Sequence, residues 1–217
     1  MNNSTVVLLL SLLLLISLDS FSQSSWVVAK NEDGIVVYTR TEKVSAFKSF
    51  KAVAKVEAST DEIIGKLKDA DNYTKWYGYT KTSKLINQED SVQYNYVETK
   101  FPWPFANRDM VYRMSINLLH SGVVEIALNG LPNYIPVKKG IARMEKADGY
   151  LLLKPLVGKT EITYEFHSEP GDNIPTWLAN NSIAELPFIT LRGLREVLKE
   201  KTKQQVTDAS FHKLTKR

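Results

Sequence analysis

The stretch from Ile174 to Lys199 limits the possible folds more than any other part of the chain. Trp177, Leu178, Ala184, Pro187, Phe188, Leu191, Leu194 and Leu198 recur largely at spacings of three and four. That pattern predicts one long helix with a broad apolar face. Pro175 suits the first turn, where a missing N–H removes nothing. Pro187 falls inside the run and predicts a kink, because it deletes a backbone bond and crowds the turn before it. Such a helix cannot stand alone in water. It needs a large apolar surface to lie on, and nearly everything upstream reads as strand. The expected class is α+β: a curved antiparallel sheet wrapped around a long C-terminal helix.

Ser24 to Lys30 is expected as a short helix leading into the Asp33-Gly34 turn, followed by strands over Ile35–Arg40 and Phe47–Ala58. Ser59-x-x-Glu62 has capping-box spacing ahead of Ile63, Ile64 and Leu67, which predicts a helix to about Ala70 with Trp76 anchored in the core beyond it. From Ser83 the pattern is strand. Val92, Tyr94, Tyr96 and Glu98 share one face, with Gln93, Asn95 and Thr99 on the other. Met110, Tyr112, Met114, Ile116 and Leu118 alternate with Arg113, Ser115 and Asn117. Val124, Ile126 and Leu128 repeat the pattern, and so do Ile162, Tyr164 and Phe166. Alternation of this kind means a meander with one face covered and one in water.

The covered face is rich in Tyr and Met. A buried Tyr needs a partner for its hydroxyl, and Met adapts to variable surfaces. Tyr94, Tyr96, Glu98, Met110, Tyr112, Met114, Ile126, Leu128, Ile162, Tyr164 and Phe166, with Trp177, Leu178 and Leu191 from the helix, are the candidate ligand-binding set. On composition alone, a filled core and a hollow one are equally open.

The 217 residues contain no cysteine, which excludes disulfides, thiolate metal sites and thiol nucleophiles. Formal charge is +4, with acidic and basic residues mixed along the chain. There is no basic stripe with interleaved aromatics, so nucleic acid is not an expected partner. His120, His167 and His212 form no helical metal pair, and no phosphate loop or nucleophile elbow occurs. No cofactor or metal is expected. Val6 to Ile16 is an apolar run, too short for the ~20 residues a membrane span needs. With small residues at Ser20 and Ser22, it reads as a signal-peptide core cleaved after Ser22, although no Lys or Arg precedes it. A signal anchor is the alternative. The expected organisation is residues 1–22 as signal peptide, 23–203 as one domain and 204–217 as a polar tail. The expected location is periplasmic or secreted, since export without cysteines suits a bacterial protein. A monomer is expected.

Two passages add a resemblance. Phe101 to Arg113, FPWPFANRDMVYR, is an aromatic, proline-bearing loop running into Asn-Arg-Asp and a strand. Gly149 to Arg195 carries two strands and the terminal helix. In this order and at these distances they resemble the START domain, the steroidogenic-acute-regulatory-related lipid-transfer family, over essentially the whole chain after residue 22. The resemblance implies a helix-grip fold enclosing a tunnel for one lipid, which is carried or presented without catalysis. It implies Trp103 and Phe105 as residues that touch a membrane transiently, and Arg108-Asp109 as fixed ionic positions. Arg108 and Asp109 are adjacent in a strand and point to opposite faces, so each needs another partner. The sterol-binding branch of the family has a cavity Arg six residues after the Arg of Arg-Asp. Met114 stands there in this chain, which weakens a sterol-specific reading. Related grip folds include cyclases and hydrolases, so an enzyme using Glu98 with a cavity Tyr is the alternative.

Overall fold

The computed structural model describes residues 25–171 and 174–214, with side chains through residue 200. The expected signal peptide, residues 1–22, lies outside the described residues. The strands are β1 (Val27–Glu32), β2 (Ile35–Arg40), β3 (Ser49–Val56), β4 (Thr80–Glu89), β5 (Val92–Thr99), β6 (Asn107–Leu118), β7 (Val124–Gly130), β8 (Ile141–Arg143), β9 (Lys146–Leu156) and β10 (Lys159–Glu169). They form one sheet in the order β1-β2-β3-β10-β9-β7-β6-β5-β4, antiparallel throughout, with β8 beside the start of β6 in parallel. The helices are α1 (Thr60–Lys68), α2 (Thr176–Ser182) and α3 (Glu185–Leu214). This is the expected helix-grip architecture: a curved sheet closed by C-terminal helix.

Register carries one inner face across the sheet. Phe166 pairs with Phe50 and Gly149, Tyr164 with Ala52 and Leu151, and Met114 with Leu128 and Gln93. Paired residues point the same way, so the side chains alternating in sequence meet beneath the helix. Ile126, Leu153, Ile162 and Met114 are all at most 1% exposed. The Ser59–Glu62 capping box is present, with both reciprocal bonds made. Trp76 is buried as expected, among the rings of Tyr73 and Tyr77.

The first segment is a strand, not a helix. Asp33 and Gly34 both have positive φ (50° and 65°), the hairpin-turn conformation, and fold β1 back on β2. The β-branched Val27 and Val28 suit that strand. The expected single kinked helix is two helices. Pro187 has no N–H to donate to the Ile183 carbonyl, so the helical ladder is interrupted there. Pro187 then sits in the first turn of α3, where donors lack intrahelical partners anyway. Ser182 Oγ adds a back-bond to the Leu178 carbonyl at 2.9 Å, at the end of α2. The helix also runs on to Leu214, so most of the expected tail is helical.

Phe188, Leu191, Leu194 and Leu198 bury the inner stripe of α3, each contributing about 1.5–3 kcal/mol of transfer free energy. Arg195 forks onto the carbonyls of Lys55 (3.2 Å), Asp33 (2.6 Å) and Gly34 (3.1 Å), pinning the helix to β3 and to the β1–β2 turn. Gly193 faces the Trp76 carbonyl, which a Cβ would approach to 2.4 Å. We therefore expect Gly193→Ala to lower stability in denaturant unfolding by about 1–3 kcal/mol through overpacking. Gly65→Ala, on α1 with nothing within 4 Å, should raise stability by about 0.4–1 kcal/mol.

Candidate functional site

The break between α2 and α3 leaves α2 lying across the open end of the sheet. Two hydrogen bonds of Asn180 tie it there: its Oδ1 accepts from the Lys48 N–H (2.9 Å) and its Nδ2 donates to the Ala46 carbonyl (3.1 Å). No residue of α2 is buried. Behind it is a cavity of about 530 Å³. Its walls are Phe47 and Phe50 from the β3 side, Met110, Met144, Tyr164 and Phe166 from the sheet interior, Phe101 and Pro102 from the loop after β5, and Leu178, Ile183 and Leu186 from the helices. The volume and apolar lining suit a small hydrophobic ligand.

The cavity fills only part of the interior. Tyr112, Met114, Ile126, Leu128, Ile162 and Leu191 are packed core that the cavity does not reach. Four of the candidate ligand residues line it: Met110, Tyr164, Phe166 and Leu178. Trp177 is 65% exposed and points to water. Tyr94, Tyr96 and Glu98 are on the opposite face of the sheet from the one expected. Val97, Asn95 and Gln93 register with Met110, Tyr112 and Met114 and so take the inner face. The alternation rule failed because both faces of β5 are covered. On the outer face Tyr134 stacks on Tyr94 with ring centroids 4.8 Å apart, and Lys138 sits 3.9 Å above the Tyr96 ring. With neither face in water, hydrophobicity could not say which was inside.

The polar groups divide by position. Tyr77 and Tyr164 share a hydrogen bond of 2.5 Å between their hydroxyls at the cavity wall. Burial pushes Tyr77 up to about 12 and raises Tyr73, Tyr112 and Tyr164 as well. These hydroxyls stay neutral near pH 7 and act as hydrogen-bonding groups, not as proton acceptors of useful strength. Among the described residues no Asp or Glu lines the cavity; the charged residues that do are Lys48 and Lys100. Among the described residues, no cluster of three His, Cys, Asp or Glu side chains could hold a metal.

The Arg-Asp positions take separate partners, as their geometry requires. Arg108 is buried on the inner face, donating to the Pro170 and Ala106 carbonyls with its guanidinium 4.9 Å from the Phe101 ring centroid. Asp109, fully buried on the outer face, accepts from Arg143 at 2.7 and 3.2 Å. Arg143 also donates to the Pro132 and Ile135 carbonyls. The pair therefore fixes the 131–143 segment that covers Tyr94 and Tyr96. Trp103 is 93% exposed on the loop beside the cavity, and Phe105 is half-buried.

The START domain profile matches residues 13–204. The chain belongs to the START domain family. It is 34% identical over 177 residues to an uncharacterised protein of Pseudomonas aeruginosa, covering 81% of this chain and 88% of that one. It is 26% identical to the phosphatidylcholine transfer protein of Rattus norvegicus, covering 72% and 76%. The crystal structure of the STAR-related lipid transfer protein of Xanthomonas axonopodis superposes with a TM-score of 0.76 at 34% identity, over 80% of this chain and 98% of that one. Human StAR-related lipid transfer protein 5 shares the fold, with a TM-score of 0.72 at 15% identity over 92% and 97%.

In this START domain Glu98 is a structural carboxylate. Burial alone would raise its pKa; hydrogen bonds from Lys81 (2.9 Å) and Asn107 (2.7 Å) outweigh burial and hold it below the ordinary 4.5. A depressed folded value means that its contribution is present above the unfolded value and lost as pH falls through the folded one. Denaturant unfolding between about pH 6 and 2 should show this loss beginning near the ordinary Glu value of about 4.3. Glu98→Gln should flatten that part of the acid limb.

Proposed function

We propose that this chain binds one lipid or other small hydrophobic molecule in the cavity and carries or presents it, without catalysing a reaction. The observation that carries this reading is the apolar hollow of about 530 Å³ behind the thinly held α2. Membership of a family whose named relatives here are lipid transfer proteins supports it. The rim favours a transient membrane partner: Trp103 projects from the loop beside the cavity, and an indole ring is stable at headgroup depth. Phe105, half-buried on the same loop, is the second proposed contact. Release then occurs at a membrane, where α2 swings away as the Asn180 bonds break. The protein acts as a monomer outside the cytoplasm, periplasmic or secreted, after loss of residues 1–22.

The enzymatic alternative needed Glu98 inside the cavity. Glu98 faces the other way and is held by Lys81 and Asn107, so that alternative has lost the acid it was built on.

Native mass spectrometry of protein purified from its own host tests the reading. We expect the mass of the chain plus one extractable hydrophobic molecule. Trp103→Ala should keep that molecule while slowing its transfer between vesicles roughly tenfold, since burying one indole side chain contributes about 1.5–3 kcal/mol. A chain that neither carries nor accepts a hydrophobic molecule contradicts the proposal.

A further inference from the structure

The cavity also says what kind of molecule it takes, an inference that rests on the lipid-binding reading above. The first constraint is volume. At liquid density one heavy atom occupies about 30 Å³, the share of a water molecule. The cavity of about 530 Å³ therefore holds roughly 18 non-hydrogen atoms. Palmitate has about that many, while a phosphatidylcholine with two such chains has roughly three times as many. The cavity does not extend to Tyr112, Met114, Ile126 and Leu128, which are buried in the hydrophobic core.

The second constraint is charge. Among the described residues, Lys48 and Lys100 are the charged residues that line the cavity, and no carboxylate lines it with them. Neither ammonium makes an ion pair among the described residues. Lys100 is exposed and Lys48 half-buried, so each reaches water at the edge of the cavity. The rest of the lining is neutral and mainly apolar, and the Tyr77 and Tyr164 hydroxyls within it satisfy each other. The hollow is thus apolar inside and cationic at its mouth.

We infer that the cargo is a single-chain amphiphile with an anionic head, seated tail-inward with the head beside Lys48 and Lys100. A long-chain carboxylate and a lysophosphate share that chemistry.

Calorimetric titration of the delipidated full chain tests this with four probes: palmitate, palmitoyl lysophosphatidate, 1-palmitoylglycerol and vesicles of dioleoylphosphatidylcholine. Expected is one anionic amphiphile per chain, bound about tenfold more tightly than the neutral 1-palmitoylglycerol. The ratio of palmitate to lysophosphatidate identifies which head is preferred. Lys48→Met with Lys100→Met should cost the anions about tenfold and leave 1-palmitoylglycerol within about twofold, its retained binding showing that the variant is folded. Raising salt should weaken palmitate and spare 1-palmitoylglycerol. Equal affinity for neutral and anionic probes, or one-to-one uptake of phosphatidylcholine in preference to them, overturns this inference while leaving lipid binding intact. Failure of all four probes to bind overturns the lipid-binding reading itself.

Discussion

Pro187 has no N–H to offer the Ile183 carbonyl, and the shape of the open end follows from that missing bond. An uninterrupted helix would carry α2 straight on from α3. The interruption lets α3 bury its own stripe against the sheet, clamped by Arg195 and closely fitted at Gly193. It also leaves α2 free to lie across the mouth on little more than the two bonds of Asn180. One helix is fixed and the other is a cover. The cavity exists in the angle between them.

The interior answers a choice that composition left open, and the answer is both. Around Tyr112, Met114 and Ile126 the inner face is packed as a protein core is. Around Phe50, Met110, Tyr164 and Phe166 it is hollow. A tyrosine buried in such an interior demands a partner for its hydroxyl. Tyr73 donates to the Leu67 carbonyl, and Tyr77 and Tyr164 serve each other. The Tyr77–Tyr164 bond lets the cavity wall contain polar atoms and still accept an apolar guest. The outer face, meanwhile, is sealed by the buried Asp109–Arg143 pair. Its worth is better seen as fixing a loop in place than as net stability, since desolvating two charges offsets much of their attraction.

Much of this was legible in the residues. Strict alternation made β7 and β10 readable, and Met110, Tyr112 and Met114 of β6 do face inward; Leu118 at the end of β6, expected on the covered face, is 77% exposed, and the outer face of β6 is buried at Asp109 and Val111. The capping box at Ser59 and the core position of Trp76 were also readable. β5 was not, because Tyr134 and Lys138 return from 40 residues downstream to cover its outer face; local periodicity contains no trace of that. Phe47, Tyr77, Met144 and Asn180 line the cavity for the same kind of reason. They come from loops and helix ends brought together by topology, with no period to mark them. The helix break was half legible: Pro187 was visible, but whether it bends a helix or begins one depends on where the preceding turn is tied.

The central claim is that the space behind α2 is a true hollow kept for a guest. The most direct measurement is the denaturant stability of the Met110→Trp protein, which pushes a larger ring into that space. The account predicts stability no more than about 1 kcal/mol below the parent, because the added volume enters open space and not packed neighbours. A loss of about 2 kcal/mol or more, the mark of an overfilled core, would contradict it.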